Sequence, residues 1–350
     1  GATHLQISLY DHMGNDPDDD PERAAFLRAW RPALDGLSDA FPSSLRTCGV
    51  GVPWSEEMSR TLHLERPGGW SDLVCPSRGW AHWLGAAGIA TSVQPDQPVI
   101  ALAGPGVRAF SDDQIRQWLT RGVLLDGTAA RILDERGFGS LTGLTDLRVI
   151  TQDEVVYATE TCTHPDFTRR VGAQLSVNSE FFTAFGQQLI QAYPAPAAQE
   201  ITELRGPAQE RVGHGILRFT NELGGRVVIT PWNADTKPVL NALRAEQLAR
   251  LLRWLDPDGA CGRVEGGAWL VPLVLRDENT WRVVIWNAGA DAVSELAWHA
   301  PRGLRQPDEA WMLDATGTRT PVRATLPRLS LPQPLHAWEC VILCGHHPTA

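Results

Sequence analysis

A doubly wound α/β domain followed by a small antiparallel β-sandwich is the fold class this sequence predicts. Three observations carry it. Strand-like and helix-like segments alternate with short connections from Arg46 to about Leu255. A run rich in turn formers, DPDGACG, breaks the pattern from Asp256 to Gly262. Everything beyond it reads as short strands. At 350 residues the chain has room for two domains, and 43% hydrophobic with 21% charged residues is the balance of a folded chain rather than a disordered one.

Taken in order, HLQISLYDHMG opens the sequence as a strand, with Leu5, Ile7 and Leu9 alternating with polar residues before Gly14. The acids Asp16, Asp18, Asp19, Asp20 and Glu22 precede an amphipathic helix from Arg23 to Leu37, where they complement the positive end of its dipole. A lone strand and helix cannot bury themselves, so further structure upstream is expected. CGVGVPW (Cys48 to Trp54) then reads as a strand, SRGWAHWLGAAG as a helix stopped by Gly88, and IATSV and PVIALAG as strands. SDDQIRQWLTRG carries a serine cap and two first-turn aspartates. VLLDG is a buried-type strand that leads into the capped helix TAARILDERG. Strand-like pieces follow around LRVI and VVYAT, separated from the next clear elements by the loop THPDF. HGILRFTNELGGRVVITPW predicts a hairpin turning at Asn221, Gly224 and Gly225, and VLNALRAEQLARLLRWL has the strongest helical period in the chain. The last part supplies AWLVPLVLR, TWRVVIWNAG, SELAWHA, AWMLDATG and HAWECVILCG, each the length of a strand.

The charge and motif content narrows the chemistry. A net charge of -10, with Lys237 the single lysine and no basic stripe, excludes nucleic acid as a partner class. No stretch reaches the ~20 apolar residues of a membrane helix. Six dispersed cysteines read as reduced structural thiols, which points to a cytoplasmic setting. GNDPDDDPE lacks the ligand spacing of a calcium loop. Cys340, Cys344, His346 and His347 lack the paired knuckles of a zinc site, and Gly104, Pro105 and Gly106 do not complete a dinucleotide fingerprint, so neither a metal nor a cofactor is expected. A thiol amidotransferase needs a cysteine on its strand-to-helix elbow; the elbow here, LLDGTAA, offers Asp126, Gly127 and Thr128 instead. Fourteen tryptophans against three tyrosines supply flat faces of the kind that stack on sugar rings as well as fill cores.

PVIALAGPGVRAFSDDQIRQWLTRGVLLDG and GGRVVITPWNADTKPVLNALRAEQLARLLRWL resemble the middle and the close of the flavodoxin-like, class I glutamine-amidotransferase-like domain found in β-galactosidase-type glycoside hydrolases, often called their trimerisation domain. In that family the domain follows a catalytic (β/α)₈ TIM barrel and precedes a small β-sandwich. The resemblance covers Arg46 to Leu255 and divides the chain into residues 1–45, similar to the last βα unit of the barrel, 46–258, the amidotransferase-like domain, and 259–350, the sandwich. It implies that the two catalytic carboxylates lie on barrel strands outside this chain, which itself holds no catalytic residue.

What the resemblance implies for function is an accessory and oligomerisation region of a glycoside hydrolase, inactive alone, meeting its carbohydrate substrate through the missing barrel and assembling as a homo-oligomer, in the family a trimer. Asp11 and His12 stand where a barrel strand ends and would line a sugar pocket; a solvated turn with a capping Asp is the plainer reading. Trp54 and Trp70 are the substrate-lining tryptophans, whereas Trp80 and Trp83, three apart on a helix, read as core. The alternative is a stand-alone carbohydrate- or partner-binding module with an amidotransferase-like fold and no catalysis.

Overall fold

The computed structural model describes residues 21–42, 44–61, 77–150, 154, 158–176, 189–234, 241–267 and 269–347. The strand read at Gln6 to Leu9, together with Asp11, His12 and Trp70, lies outside the described residues. The chain divides into two compact units. One runs from Gly49 to Cys261; the other joins the described residues up to Cys48 with those from Gly262 onward.

In the second of these, helix α1 (Pro21–Ala40) and strand β1 (Arg46–Cys48) precede the excursion into the other unit. The sequence predicts a single strand from Cys48 to Trp54 and an α/β domain that opens at Arg46. The structure breaks that run at Gly49, whose φ is +149°; a Cβ there would lie 2.3 Å from the Ala90 carbonyl oxygen, so only glycine passes. The apolar alternation continues unbroken through the glycine, which is why the break does not show in the pattern.

The Gly49–Cys261 unit is built on a seven-stranded sheet. Its elements begin with β2 (Val50–Gly51), the short α2 (Glu57–Arg60), α3 (Ser77–Ala86), β3 (Thr91–Ser92) and β4 (Val99–Leu102). A 3₁₀ turn, Gly104–Ala109, leads to α4 (Asp112–Trp118), β5 (Gly122–Leu125), α5 (Gly127–Glu135) and the short α6 (Gly139–Thr142). Next come β6 (Leu144–Ile150), β7 (Thr159–Cys162), β8 (Gln174–Ser176), β9 (Leu189–Pro194), β10 (Gln199–Glu200), β11 (Thr202–Arg205) and β12 (Arg211–His214). The hairpin β13 (Leu217–Thr220) and β14 (Arg226–Ile229), then α7 (Ala242–Leu255), complete the unit.

The strand order is β10-β13-β14-β5-β4-β2-β3, parallel from β14 to β3 and antiparallel through the β13–β14 hairpin. Strand residues alternate between two cores. Val99, Ala101, Leu124 and Val228 meet α3 and α7 through Trp80, Trp83, Leu84, Leu248 and Leu252. Ile100, Leu102, Val123, Leu125, Val227 and Ile229 meet α4 and α5 through Ile115, Trp118, Ile132 and Leu133. Both faces are thus covered, as a largely parallel sheet requires. Local signals set the helix ends: Ser111 and Gln114 form a reciprocal capping box, Asn241 caps α7, and Gly88 at φ +76° closes the turn after α3. The stretch from Leu144 to His214, hard to read from sequence, forms a β6–β9 pair and a small antiparallel sheet, β12-β11-β7-β8.

The other unit contains β15 (Arg263–Glu265), β16 (Leu270–Arg276), β17 (Thr280–Asn287), β18 (Leu296–His299), β19 (Glu309–Leu313), β20 (Arg319–Pro321), β21 (Arg323–Thr325), β22 (Arg328–Ser330) and β23 (Cys340–His346). They form two antiparallel sheets, β1-β16-β17-β23-β19-β20 and β15-β18-β22-β21. Helix α1, read from the resemblance as a barrel element, here buries Ala40 with Val284, Leu313, Cys340 and Ile342 of the six-stranded sheet; Leu37 packs beside them. Trp281, Val283 and Ile285 are also fully buried, on the opposite side of β17 from Val284. Burial on both faces is why Val283, Val284 and Ile285 are all apolar. Among the described residues no helix is long and apolar enough to cross a membrane.

Candidate functional site

A doubly wound sheet presents chemistry at the carboxyl ends of its parallel strands. In this chain the loops after β2, β4, β5 and β14 meet there. The elbow after β5 is occupied by Asp126, 0% exposed. It caps α5 by accepting the Ala129 N–H at 2.8 Å. The Gly104 N–H, at the end of β4, donates to both carboxylate oxygens at 2.9 and 3.0 Å, and the Ala234 N–H, beyond β14, donates to Oδ2 at 3.0 Å. One buried side chain therefore ties three loops. Beside it the Thr128 hydroxyl donates to Asn233 Oδ1 at 2.8 Å. The side chain at this elbow is a backbone anchor.

The strand order reverses between β2 and β4, the usual ligand crevice of such sheets. On the described side Met58 of α2, 4% exposed, packs there against the 3₁₀ turn, its Sδ and Cε 3.4 Å from where a Cβ on Gly106 would stand. Trp54, three residues past β2, is 59% exposed and remains available for stacking. Trp80 and Trp83 are at most 1% exposed, core residues as their helical spacing indicates.

Behind the elbow lies a polar network that no local motif announces. Glu160 of β7 and Arg244 of α7 pair at 2.7 Å with side-chain exposures of 0% and 1%. The remaining capacity of the carboxylate is used: the Trp232 Nε1–H donates to Oε2 at 2.9 Å and the Thr202 hydroxyl to Oε1 at 2.9 Å. Arg244 also donates to Gln247 Oε1 at 2.5 Å and stands over the Trp232 ring at 5.4 Å. Trp232 stacks on Trp83 with centroids 4.6 Å apart. The signal was present in α7, where Arg244 shares the apolar stripe of Leu248, Leu251 and Leu255 and so needs a buried partner.

Burial holds the Cys162, Cys340 and Cys344 thiols protonated, away from nucleophilic work. Burial raises the Cys162 thiol, which accepts a hydrogen bond from Gln247 Nε2 at 3.8 Å. The His164 Nδ1 accepts the Asp166 N–H, and the His214 Nδ1 lies 2.7 Å from Glu200. In the other unit the His346 ring pairs with Asp308 at 2.8 Å, and burial pushes the Cys340 thiol up to about 12. Among the described residues no group of three or more His, Cys, Asp or Glu side chains is arranged for a metal. A cavity of about 530 Å³ opens at Glu265, Glu295, Arg328 and Ser330. Burial opposes ionisation of Glu265, but His299 and Arg263 outweigh it and hold the carboxyl below its usual range.

No family model and no curated protein sequence matches the chain. Among solved structures, α-L-fucosidase isoenzyme 2 from Paenibacillus thiaminolyticus aligns at TM-score 0.54 and 12% identity, over 88% of this chain and 50% of that one. The β-galactosidase from Bacillus circulans sp. alkalophilus aligns at TM-score 0.49 and 12% identity, over 96% of this chain and 46% of that one. The chain spans about half the length of these two structures. It has a mixed α/β architecture of several sheets that resembles glycoside hydrolase domains.

Proposed function

We propose that this chain is an accessory, non-catalytic region of a glycoside hydrolase, a flavodoxin-like, amidotransferase-type domain with a β-sandwich, whose sugar-cleaving carboxylates belong to a barrel outside it. The observation that carries the reading is Asp126: the strand-to-helix elbow after β5 holds a carboxylate consumed by backbone donors. The fold shared with half of an α-L-fucosidase chain supports the glycosidic context. In this reading Trp54 walls the substrate site of the intact enzyme, and the α/β domain assembles subunits, as a trimer.

The 350-residue chain, assayed on 4-nitrophenyl β-galactoside and α-fucoside, should release no nitrophenol above buffer, because glycoside cleavage needs two carboxylates flanking one bond. Turnover that disappears on replacing a carboxylate pair within the described residues would sink the proposal. Light scattering tests assembly, with a monomer at all concentrations counting against the trimer.

A further inference from the structure

The six-stranded sheet carries an aromatic corner that no part of the accessory role uses. Trp286 of β17 faces the same side as Val284, opposite Val271 of β16 and Cys340 of β23 in register. Helix α1 packs over Val284 and Cys340, whereas Trp286 is left 39% exposed. Trp338, just before β23, is 55% exposed, and the two indoles meet edge to face with centroids 5.9 Å apart at 71°.

The backbone that presents this corner is strained. Among the described residues three non-glycine residues have left-handed φ, and two are tryptophans here: Trp338 at +69° and Trp269 at +63°. A bulky residue in that region is an outlier that persists only where its surroundings over-determine it, and such strain collects at binding sites. The surroundings do so. The Trp338 N–H donates to the Asn287 carbonyl at 2.7 Å, and the Asn287 N–H returns a bond to Glu339 at 3.0 Å. The Asn287 amide spans to the Asp291 and Leu335 carbonyls at 2.8 and 2.9 Å, and the Ala288 N–H holds the Trp269 carbonyl at 2.9 Å.

The size of the corner selects its occupant. Together the two rings expose about the area of one tryptophan, on the order of 250 Å², whereas a stable protein interface needs roughly 800 Å² on each side. A net charge of -10 disfavours polyanions. Two perpendicular indoles suit a pyranose ring, whose polarised C–H face lies on the negative face of one indole while the other closes the end. We propose that Trp286 and Trp338 form a binding subsite for a neutral glycan chain.

The test is native electrophoresis of the full chain in gels containing β-1,4-galactan, xyloglucan or barley β-glucan, followed by calorimetric titration of oligosaccharides from the retaining polymer. At least one polymer should retard the chain. Trp286→Ala and Trp338→Gly should each weaken binding about tenfold, the usual scale for truncating a central aromatic contact. Trp338→Gly is the decisive variant, since glycine accepts φ +69° and its thermal midpoint should hold or rise while binding falls. Val93→Ala, at an exposed side chain that has no part in the corner, should bind like the parent. Absence of retardation in every polymer, unchanged affinity in both corner variants, or self-association abolished by Trp338→Gly would overturn the proposal. Because the readout is binding, its failure leaves the accessory role to be judged separately by the nitrophenyl assays.

Discussion

The Arg244 guanidinium meets the Glu160 carboxylate at 2.7 Å with both side chains out of water. Such a pair is a commitment to one arrangement rather than a source of net stability, since desolvating both charges offsets much of their attraction. Removing one partner is costly because the other is left buried. Arg244→Met should lower unfolding stability by about 3–5 kcal/mol, whereas Arg244→Met with Glu160→Gln should cost clearly less than the two single changes added. Urea titrations of the four proteins measure the coupling; strict additivity would show that the pair does not act as a unit.

Asp126 makes a second prediction. Asp126→Ala leaves the buried N–H groups of Gly104, Ala129 and Ala234 without their acceptor. At about 1–3 kcal/mol for each unsatisfied buried donor, the variant should lose at least about 3 kcal/mol, and Asp126→Asn, which keeps one oxygen, should lose less. Amide exchange should accelerate first at those three residues. An Asp126→Ala variant within about 1 kcal/mol of the parent would show that water replaces the carboxylate.

The parts of this fold that were legible are those whose signals are local. Ser111 and Gly88 mark helix ends within one turn of sequence, and LLDGTAA shows both the elbow and its missing nucleophile. The illegible parts depend on distant partners. Strand β7 pairs with β11 some forty residues on, and nothing within TETC announces that Glu160 will meet Arg244. Gly49 interrupts an apolar run without altering its pattern, so Cys48 to Trp54 reads as one strand. Of the proposed sugar-lining residues, only Trp54 falls among the described ones. Trp286 was hidden because it closes an unbroken apolar run from Val283, and only the span of α1 decides which of those residues stays open.

The attachment of α1 can be tested at Gly317. Its φ is +81°, and a Cβ would stand 2.8 Å from the Pro32 carbonyl carbon and oxygen. Gly303 has a similar φ of +91° with nothing within 4 Å, so Gly303→Ala reports the backbone penalty alone. That penalty is on the order of 1 kcal/mol, and Gly317→Ala should exceed it measurably in thermal midpoint. Equal shifts would mean that α1 moves away freely and that its packing against the sheet contributes little.

The last prediction concerns alkaline pH. Burial pushes the Cys340 thiol from its ordinary 9.0 up to about 12, with the nearby Glu339 charge acting in the same direction. Between those values the unfolded chain releases this proton and the folded chain keeps it. The folded state then binds more protons, so stability falls as pH rises. The contribution is fully present below about pH 9 and is lost toward pH 12, with a slope of at most about 1.4 kcal/mol per pH unit from one group. Cys162 and Cys344, also raised by burial, add slopes of the same sign. Comparing the parent with Cys340→Ala isolates one thiol: the alanine variant should start less stable at pH 8 for want of packing, and the gap should narrow by pH 11. Urea midpoints at each pH measure it. Parallel curves from pH 9 to 11 would show that water reaches Cys340 in the folded protein, and that the seam between α1 and β23 is looser than its 4% exposure indicates.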